Sequence, residues 1–342
     1  MRQKKGFFFT FIAITIMAVS IILFTPQSGI SLERNEQAVK QRISSIDNYV
    51  GDLSNVYFEN VLRAASYKGM LSLIYYIDAK RDFIPQSEFD RIVSQVVLNG
   101  TISEPIGSEN NVIIDSITGR KIMENNSLLN WSRKINETSK ETLNVDSKVT
   151  VLGLSVSQKT PWNIESTINV SLLVMAEDIS ARWEKNLTIS ANISIEGFLD
   201  PYYIVRTNGI YKPTINKSNV KFNQWNINRV IAHIDNGNYT HWEDSKAPDF
   251  LMRFTGVFSA SKCCGIESFV NPAKLAPSDK DKNKVYVDYL FWDLASNPKC
   301  PTPIGSEPQL YSISDIMPQM SGFKLDIENV NKYKILDHAS AC

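Results

Sequence analysis

Residues Phe7 to Phe24 form an uncharged apolar run of 18 residues, headed by Arg2, Lys4, Lys5 and Gly6. As a helix this run spans roughly 27 Å, close to the hydrocarbon thickness of a bilayer. A basic head stays on the cytoplasmic side, so the run sends the rest of the chain outward. A cleaved secretory signal has an apolar core of about 7–15 residues and then a small-x-small site. Here the run is longer, and Thr25-Pro26-Gln27-Ser28-Gly29 is a poor site of that kind. The expectation is a single-pass cell-membrane protein, N-terminus cytoplasmic and C-terminal region extracellular, with the lipid bilayer as one partner.

The chain carries 36 basic and 36 acidic side chains among 342 residues, so its charge makes no case for a nucleic-acid partner. No second apolar run reaches spanning length, Ser171–Ala176 being far too short. That disfavours a two-helix sensor. Cys263, Cys264, Cys300 and Cys342 all fall in the last quarter. An even set outside the cytoplasm suggests two disulfides. A bond between neighbours closes a strained eight-membered ring, so Cys263 and Cys264 are each expected to reach one of Cys300 and Cys342. A bare Cys-Cys lacks the spacer of a zinc site. Asn-x-Ser/Thr sequons occur at Asn99, Asn125, Asn130, Asn136, Asn169, Asn186, Asn192, Asn216 and Asn238. With 29 Asn and 52 Ser or Thr, chance gives roughly half as many, and the excess reads as a glycosylated surface.

From Leu32 the apolar residues follow a heptad seam: Leu32, Val39, Ile43, Ile46, Val50, Leu53 and Tyr57, at spacings of 7, 4, 3, 4, 3 and 4. Glu36, Lys40, Arg42, Asp47 and Asp52 lie off it. The seam predicts a helix over 32–80, about 70 Å long, packing on the protein's own head or on a neighbour. Ser87 is placed to cap a second helix that stops at Gly100. Leu128 to Leu143 and Asn223 to Ile234 read as further helices. Between them the period changes to two. Ile168, Val170, Leu172 and Val174 alternate with polar residues, as do Leu187, Ile189, Ala191, Ile193 and Ile195. Val149, Val151, Leu154 and Val156 suggest a third strand with a bulge at Leu152-Gly153. The three form an antiparallel meander with one wet face, and Asn169, Asn186 and Asn192 fall on its polar parity.

No nucleophile elbow, phosphate-binding glycine loop or His-Glu-x-x-His is present. His233, Asp235, His241, Glu243 and Asp244 form one polar cluster. Gly237 and Tyr239 stand where a calcium loop needs oxygen side chains, so the cluster reads as a helix end and a polar turn. Asp200-Pro201 and Glu267 read as a turn and a disulfide-bordering loop, since nothing pairs them in sequence. No metal, cofactor or catalytic residue is expected.

The order basic–Lys5–Gly6–Phe7 before an apolar helix resembles the class III signals of archaeal type IV pilin-like proteins, which are cut after the glycine. Phe11 stands where the bacterial pattern has a glutamate. Farther on, four segments resemble a pattern of uncharacterised archaeal envelope proteins: Ile193–Tyr202, Ala247–Gly256, Cys264–Asn271 and Val287–Trp292. That resemblance implies a surface protein and brings no catalytic residue. The expected fold class is α+β: an N-terminal transmembrane helix continuing into a long stalk helix, an antiparallel β-sheet head with short helices, and a disulfide-pinned C-terminal region. The segments are 1–6 (basic head or leader), 7–25 (membrane helix), 30–82 (stalk), 83–210 (α/β head) and 211–342 (loop-rich, Cys-containing domain). The expected function is a non-enzymatic, membrane-anchored surface protein, a minor-pilin-like assembly or adhesion subunit whose seam meets pilin-like subunits or further copies. The alternatives are an anchored extracellular hydrolase and a ligand-binding ectodomain of a membrane complex.

Overall fold

The computed structural model describes residues 31–243, 246–277, 283–293, 310–313, 320 and 322–342. The described chain opens on one continuous helical rod. Helix α1 (Ser31–Asp52) passes through a π-turn (Leu53–Tyr57) into α2 (Phe58–Lys80), as the seam predicts. The rod ends where Arg81 turns left-handed, at φ 59°, and its N–H bonds the Ile77 carbonyl. Helix α2 is buried on more than one stripe because it runs through the core; Leu62, Ala65, Met70, Leu73, Ile74 and Ile77 are all fully covered.

Helix α3 (Phe89–Asn99) lies against α2 at Gly69, where a Cβ would stand 2.8 Å from the Val97 side chain. The missing side chain is what lets the two helices approach. Gly100 stops α3 at φ 73°, as expected. Ser87 does not cap it: it sits inside a short 3-10 turn, Gln86–Glu88, and α3 has no side-chain cap. Strands β1 (Thr101–Ser103) and β2 (Asn111–Ile113) pair antiparallel and lead to the short helix α4 (Ile114–Thr118). Helix α5 (Leu128–Leu143) is capped by Ser127, which accepts from the Asn130 N–H, and ends at Asn144 with φ 47°.

The meander follows. Strands β3 (Asp146–Thr160), β4 (Asn163–Ala176) and β5 (Ala181–Ser194) pair antiparallel in chain order. On central β4 every even residue from Ile164 to Ala176 is buried and no odd one is. That is the two-residue period of a sheet with one dry face. The dry face packs on α2. The expected bulge shifts the register between Val151 and Gly153 and leaves Leu152 exposed.

The C-terminal half is built of short elements: α6 (Pro201–Arg206), β6 (Asn216–Lys217), α7 (Ile227–Asn236), β7 (Asn238–His241), α8 (Phe250–Thr255), β8 (Ile266–Ser268), α9 (Asp288–Phe291), β9 (Tyr311–Ile313), β10 (Lys324–Leu325), α10 (Ile327–Lys332) and β11 (Ala339–Ala341). Strand β7 pairs with β6 in parallel and with β8 antiparallel, and β9 is central between β10 and β11. A single hydrophobic cluster runs from Ile46 to Ile335.

Two expectations are corrected here. The fold is mixed α+β with several small sheets, not one sheet carried on a membrane helix. Among the described residues no helix is long and apolar enough to cross a membrane. The physical reason is plain in the two longest: α1 carries Glu36, Lys40, Arg42, Asp47 and Asp52, and α2 carries Glu59, Arg63, Lys68 and Asp78. The single-pass membrane placement is withdrawn on that finding. The run Phe7–Phe24 and the Lys5-Gly6-Phe7 signal lie outside the described residues.

Candidate functional site: a buried ionic network beside an aromatic cleft

The four segments singled out as a sequence pattern converge in the interior. Asp200 caps α6, its Oδ1 accepting the Tyr202 N–H at 2.9 Å. Its Oδ2 accepts from Tyr239 Oη at 2.7 Å and from Arg253 Nη1 at 2.6 Å. Arg253, on α8, donates from Nη2 to the Ile266 carbonyl and, at 2.8 Å, to Asp288 Oδ2. Ser268 donates to that same oxygen at 3.0 Å, and Tyr289 N–H donates to Asp288 Oδ1 at 2.7 Å. Next to them Glu267, on β8, accepts from Tyr333 and Lys332. Asp200, Arg253, Glu267 and Asp288 are all fully buried. Glu267 therefore sits in strand β8 and not in a loop, and Asp200 is a helix cap tied to Asp288 through Arg253.

Three carboxylates face two cations, Arg253 and Lys332, in this network. Burial pushes the Asp288 carboxyl up to about 6, further raised by Asp200 and Glu267 and opposed by Arg253. The folded state thus holds a proton that the unfolded chain, near 3.8, has released. A raised carboxyl contributes its stability at low pH and loses it as pH rises through the folded value. The expected result is that the stability of the wild type relative to Asp288→Asn falls between about pH 4 and 6, with a slope approaching about 1.4 kcal/mol per pH unit. Urea unfolding of both proteins across that range measures it. A flat difference contradicts the assignment.

An open cleft borders the network. A cavity of about 680 Å³ is lined by Phe222, His241, Trp242, Glu243, Lys246, Tyr289, Glu328 and Lys332. A smaller hollow of about 170 Å³ shares Phe222, His241 and Trp242 with it and adds Trp162, Lys217 and Trp225. The aromatic wall is a packed set: Trp242 meets Phe222 edge-on at 5.4 Å and Tyr333 at 5.5 Å, and Trp225 lies 4.7 Å from Tyr333. Phe222 is 66% exposed. Lys332 lies over Trp242 and Lys334 over Phe222, each 5.0 Å from the ring centre. His241 Nδ1 is 2.8 Å from the Gly265 carbonyl. A carbonyl only accepts, so Nδ1 carries the proton and Nε2 of the neutral ring is an acceptor.

The remaining sequence candidates fall elsewhere. His233 is no partner of His241: its ring is buried against Trp225 and held between the Arg229 carbonyl, 2.8 Å away, and Ser218 Oγ, at 2.6 Å. Burial pushes its pKa down. Gly237, at φ 63°, ends α7, as the helix-end reading requires. Among the described residues no group of three or more His, Cys, Asp or Glu is placed to hold a metal ion.

Seven of the nine sequon asparagines are exposed, and Asn130 and Asn238 are half-buried. Asn169, Asn186 and Asn192 share the wet face of the meander, opposite Thr188, Ser171 and Glu165. Hydroxyl and amide contacts tie that face, with Thr167 to Ser190 and Thr188 to Asn169 both at 2.8 Å.

The cysteine pairing is corrected. Cys263 and Cys264 bond to each other. The turn that holds them, with Ser261 Oγ accepting the Cys264 N–H at 3.3 Å, sets both sulfurs against the Gln158 carbonyl at 3.5 and 3.6 Å. Adjacency therefore does not prevent the bond. Cys342 is also disulfide-bonded, and Cys300 lies outside the described residues.

The seam divides. Ile46, Val50 and Leu53 are buried and Tyr57 is half-buried, whereas Val39 and Ile43 stay exposed, at 40% and 36%. Leu32 is helical in α1. The aromatic cleft is the part that sequence reading missed. Its signal was thin: three of the six tryptophans, Trp162, Trp225 and Trp242, lie in or beside loop segments. No protein-family model, curated protein or solved structure matches this chain.

Proposed function

We propose that the chain is a non-enzymatic assembly or adhesion subunit, a folded head displayed on a helical stalk. The observation that carries the reading is the division of the seam. From Arg42 onward α1 is docked: Arg42 pairs with Asp178 at 3.1 Å and bonds the Leu143 carbonyl, and Trp183 donates to Asp47 at 2.6 Å. Residues 36–41 are exposed on every side. Ile43, at the edge of the docked part, and Val39, within the free stretch, continue the stripe of Ile46 and Val50 as exposed residues. An apolar row on an otherwise charged helix is the pattern through which helices associate. The carboxylates beside the cleft also suit binding better than acid–base chemistry, since Glu328 pairs with Lys246 and Glu267 with Lys332.

A protein comprising residues 30–342 is expected to self-associate in sedimentation velocity as its concentration rises to about 0.1 mM, where contacts with a millimolar-range Kd begin to register. The double substitution Val39→Asp, Ile43→Asp is expected to leave it monomeric with an unchanged circular dichroism spectrum. A wild-type protein that stays monomeric throughout overturns the assembly reading. The cleft favours a second reading, in which the head also binds a ligand.

A further inference from the structure

The geometry points to the cleft between Phe222, the end of β7, α9 and α10 as a binding site for a neutral saccharide chain. Its volume, about 680 Å³, lies within the range of small-molecule sites, roughly 300–1,000 Å³. Three features select the ligand. The first is aromatic surface. Phe222, largely exposed with half-buried Trp242 beside it, offers a flat apolar face to water, and the C–H face of a pyranose ring is a flat apolar surface of matching kind.

The second is charge. Lys217, Lys246, Lys332 and Lys334 stand around the cleft against Glu243 and Glu328, with the buried Glu267 behind Lys332, so the two signs nearly offset. Lys246 and Lys332 are already in ion pairs, so a phosphate or sulfate finds their charge spent. A cationic ligand meets the opposite obstacle. The rings that would receive it already carry Lys332 and Lys334 at 5.0 Å and, on Trp162, Lys217 at 5.5 Å.

The third is the mixture of donors and acceptors. Each sugar hydroxyl both donates and accepts, so it needs both kinds of partner within reach. Here the lysine ammoniums donate, while the Glu243 carboxylate and His241 Nε2 accept. A neutral polyhydroxy ligand satisfies this wall without leaving a charge unpaired. In the bound arrangement Phe222 stacks on the sugar ring, and His241, Glu243 and Lys246 take its hydroxyls.

The test uses the full chain and three neutral trisaccharides, maltotriose, cellotriose and chitotriose. The readouts are tryptophan fluorescence and saturation-transfer NMR. At least one trisaccharide is expected to give a saturable response with a Kd between about 10 µM and 1 mM. Phe222→Ala, a substitution at an exposed ring, is expected to weaken that binding at least tenfold with an unchanged circular dichroism spectrum. Glu243→Gln is expected to weaken it as well. No saturable response to any of the three up to about 10 mM overturns the proposal. So does binding that both variants leave unchanged, or a sulfated trisaccharide that binds where the neutral ones do not. None of these outcomes depends on whether the stalk associates.

Discussion

Replacing Arg253 with methionine is expected to cost about 3–5 kcal/mol of folding stability. The side chain is fully buried and closes ion pairs to Asp200 at 2.6 Å and Asp288 at 2.8 Å. Methionine fills much of the space, so the loss is electrostatic. Two carboxylates are left in the interior without their cation, and each must be neutralised or hydrated at a cost. The hydroxyls of Tyr239 and Ser268 remain as partners and keep the loss from being larger. Urea unfolding measures it. The triple substitution Arg253→Met, Asp200→Asn, Asp288→Asn is expected to recover part of the loss, because no charge is then stranded. A single-variant loss below about 1 kcal/mol, the size of an exposed pair, shows that the network is not held as described.

The second large effect is at Phe198. Its ring stacks on Tyr67 of α2 at 4.9 Å and on Phe250 of α8 at 5.8 Å with an interplanar angle of 5°. Phe250 in turn meets Phe254 edge-on at 5.2 Å. One ring thus joins the long helix to the element that carries Arg253. Phe198→Ala is expected to cost about 3–5 kcal/mol, the range for emptying an aromatic site in a packed core. Phe198→Leu keeps most of the volume and is expected to cost less than about 1.5 kcal/mol. Equal losses for the two variants argue against a packing role.

Much of the backbone was legible because it rests on local periodicity. The 3-and-4 spacing from Leu32 to Tyr57 marks the rod, and the alternation from Ile164 to Ala176 marks the central strand. Left-handed stops at Gly100 and Gly237 follow from the absence of a Cβ. What was not legible depends on contacts between distant positions. Asp200, Arg253, Glu267 and Asp288 are spread over 89 residues, and none has a charged partner close in sequence. Taken singly, each reads as surface. The cleft has the same cause, since Trp162, Phe222 and Trp242 meet only after β7 has paired with β8. The Cys263–Cys264 bond was not legible for another reason: closing that ring depends on the turn that accommodates it.

The π-turn at Leu53–Tyr57 carries a consequence for aim. Ordinary helix advances about 100° per residue, and a turn with one residue more shifts the azimuth of everything before it by that angle relative to everything after it. Leu53 and Phe58, five residues apart, are both buried, which a regular helix would place about 140° apart. The extra residue works as an indexing step in a shaft. It sets the compass bearing at which Val39 and Ile43 point when the head is held still. Wound as ordinary helix, the same residues would keep the rod and its composition but swing that bearing by about 100°, more than a quarter turn.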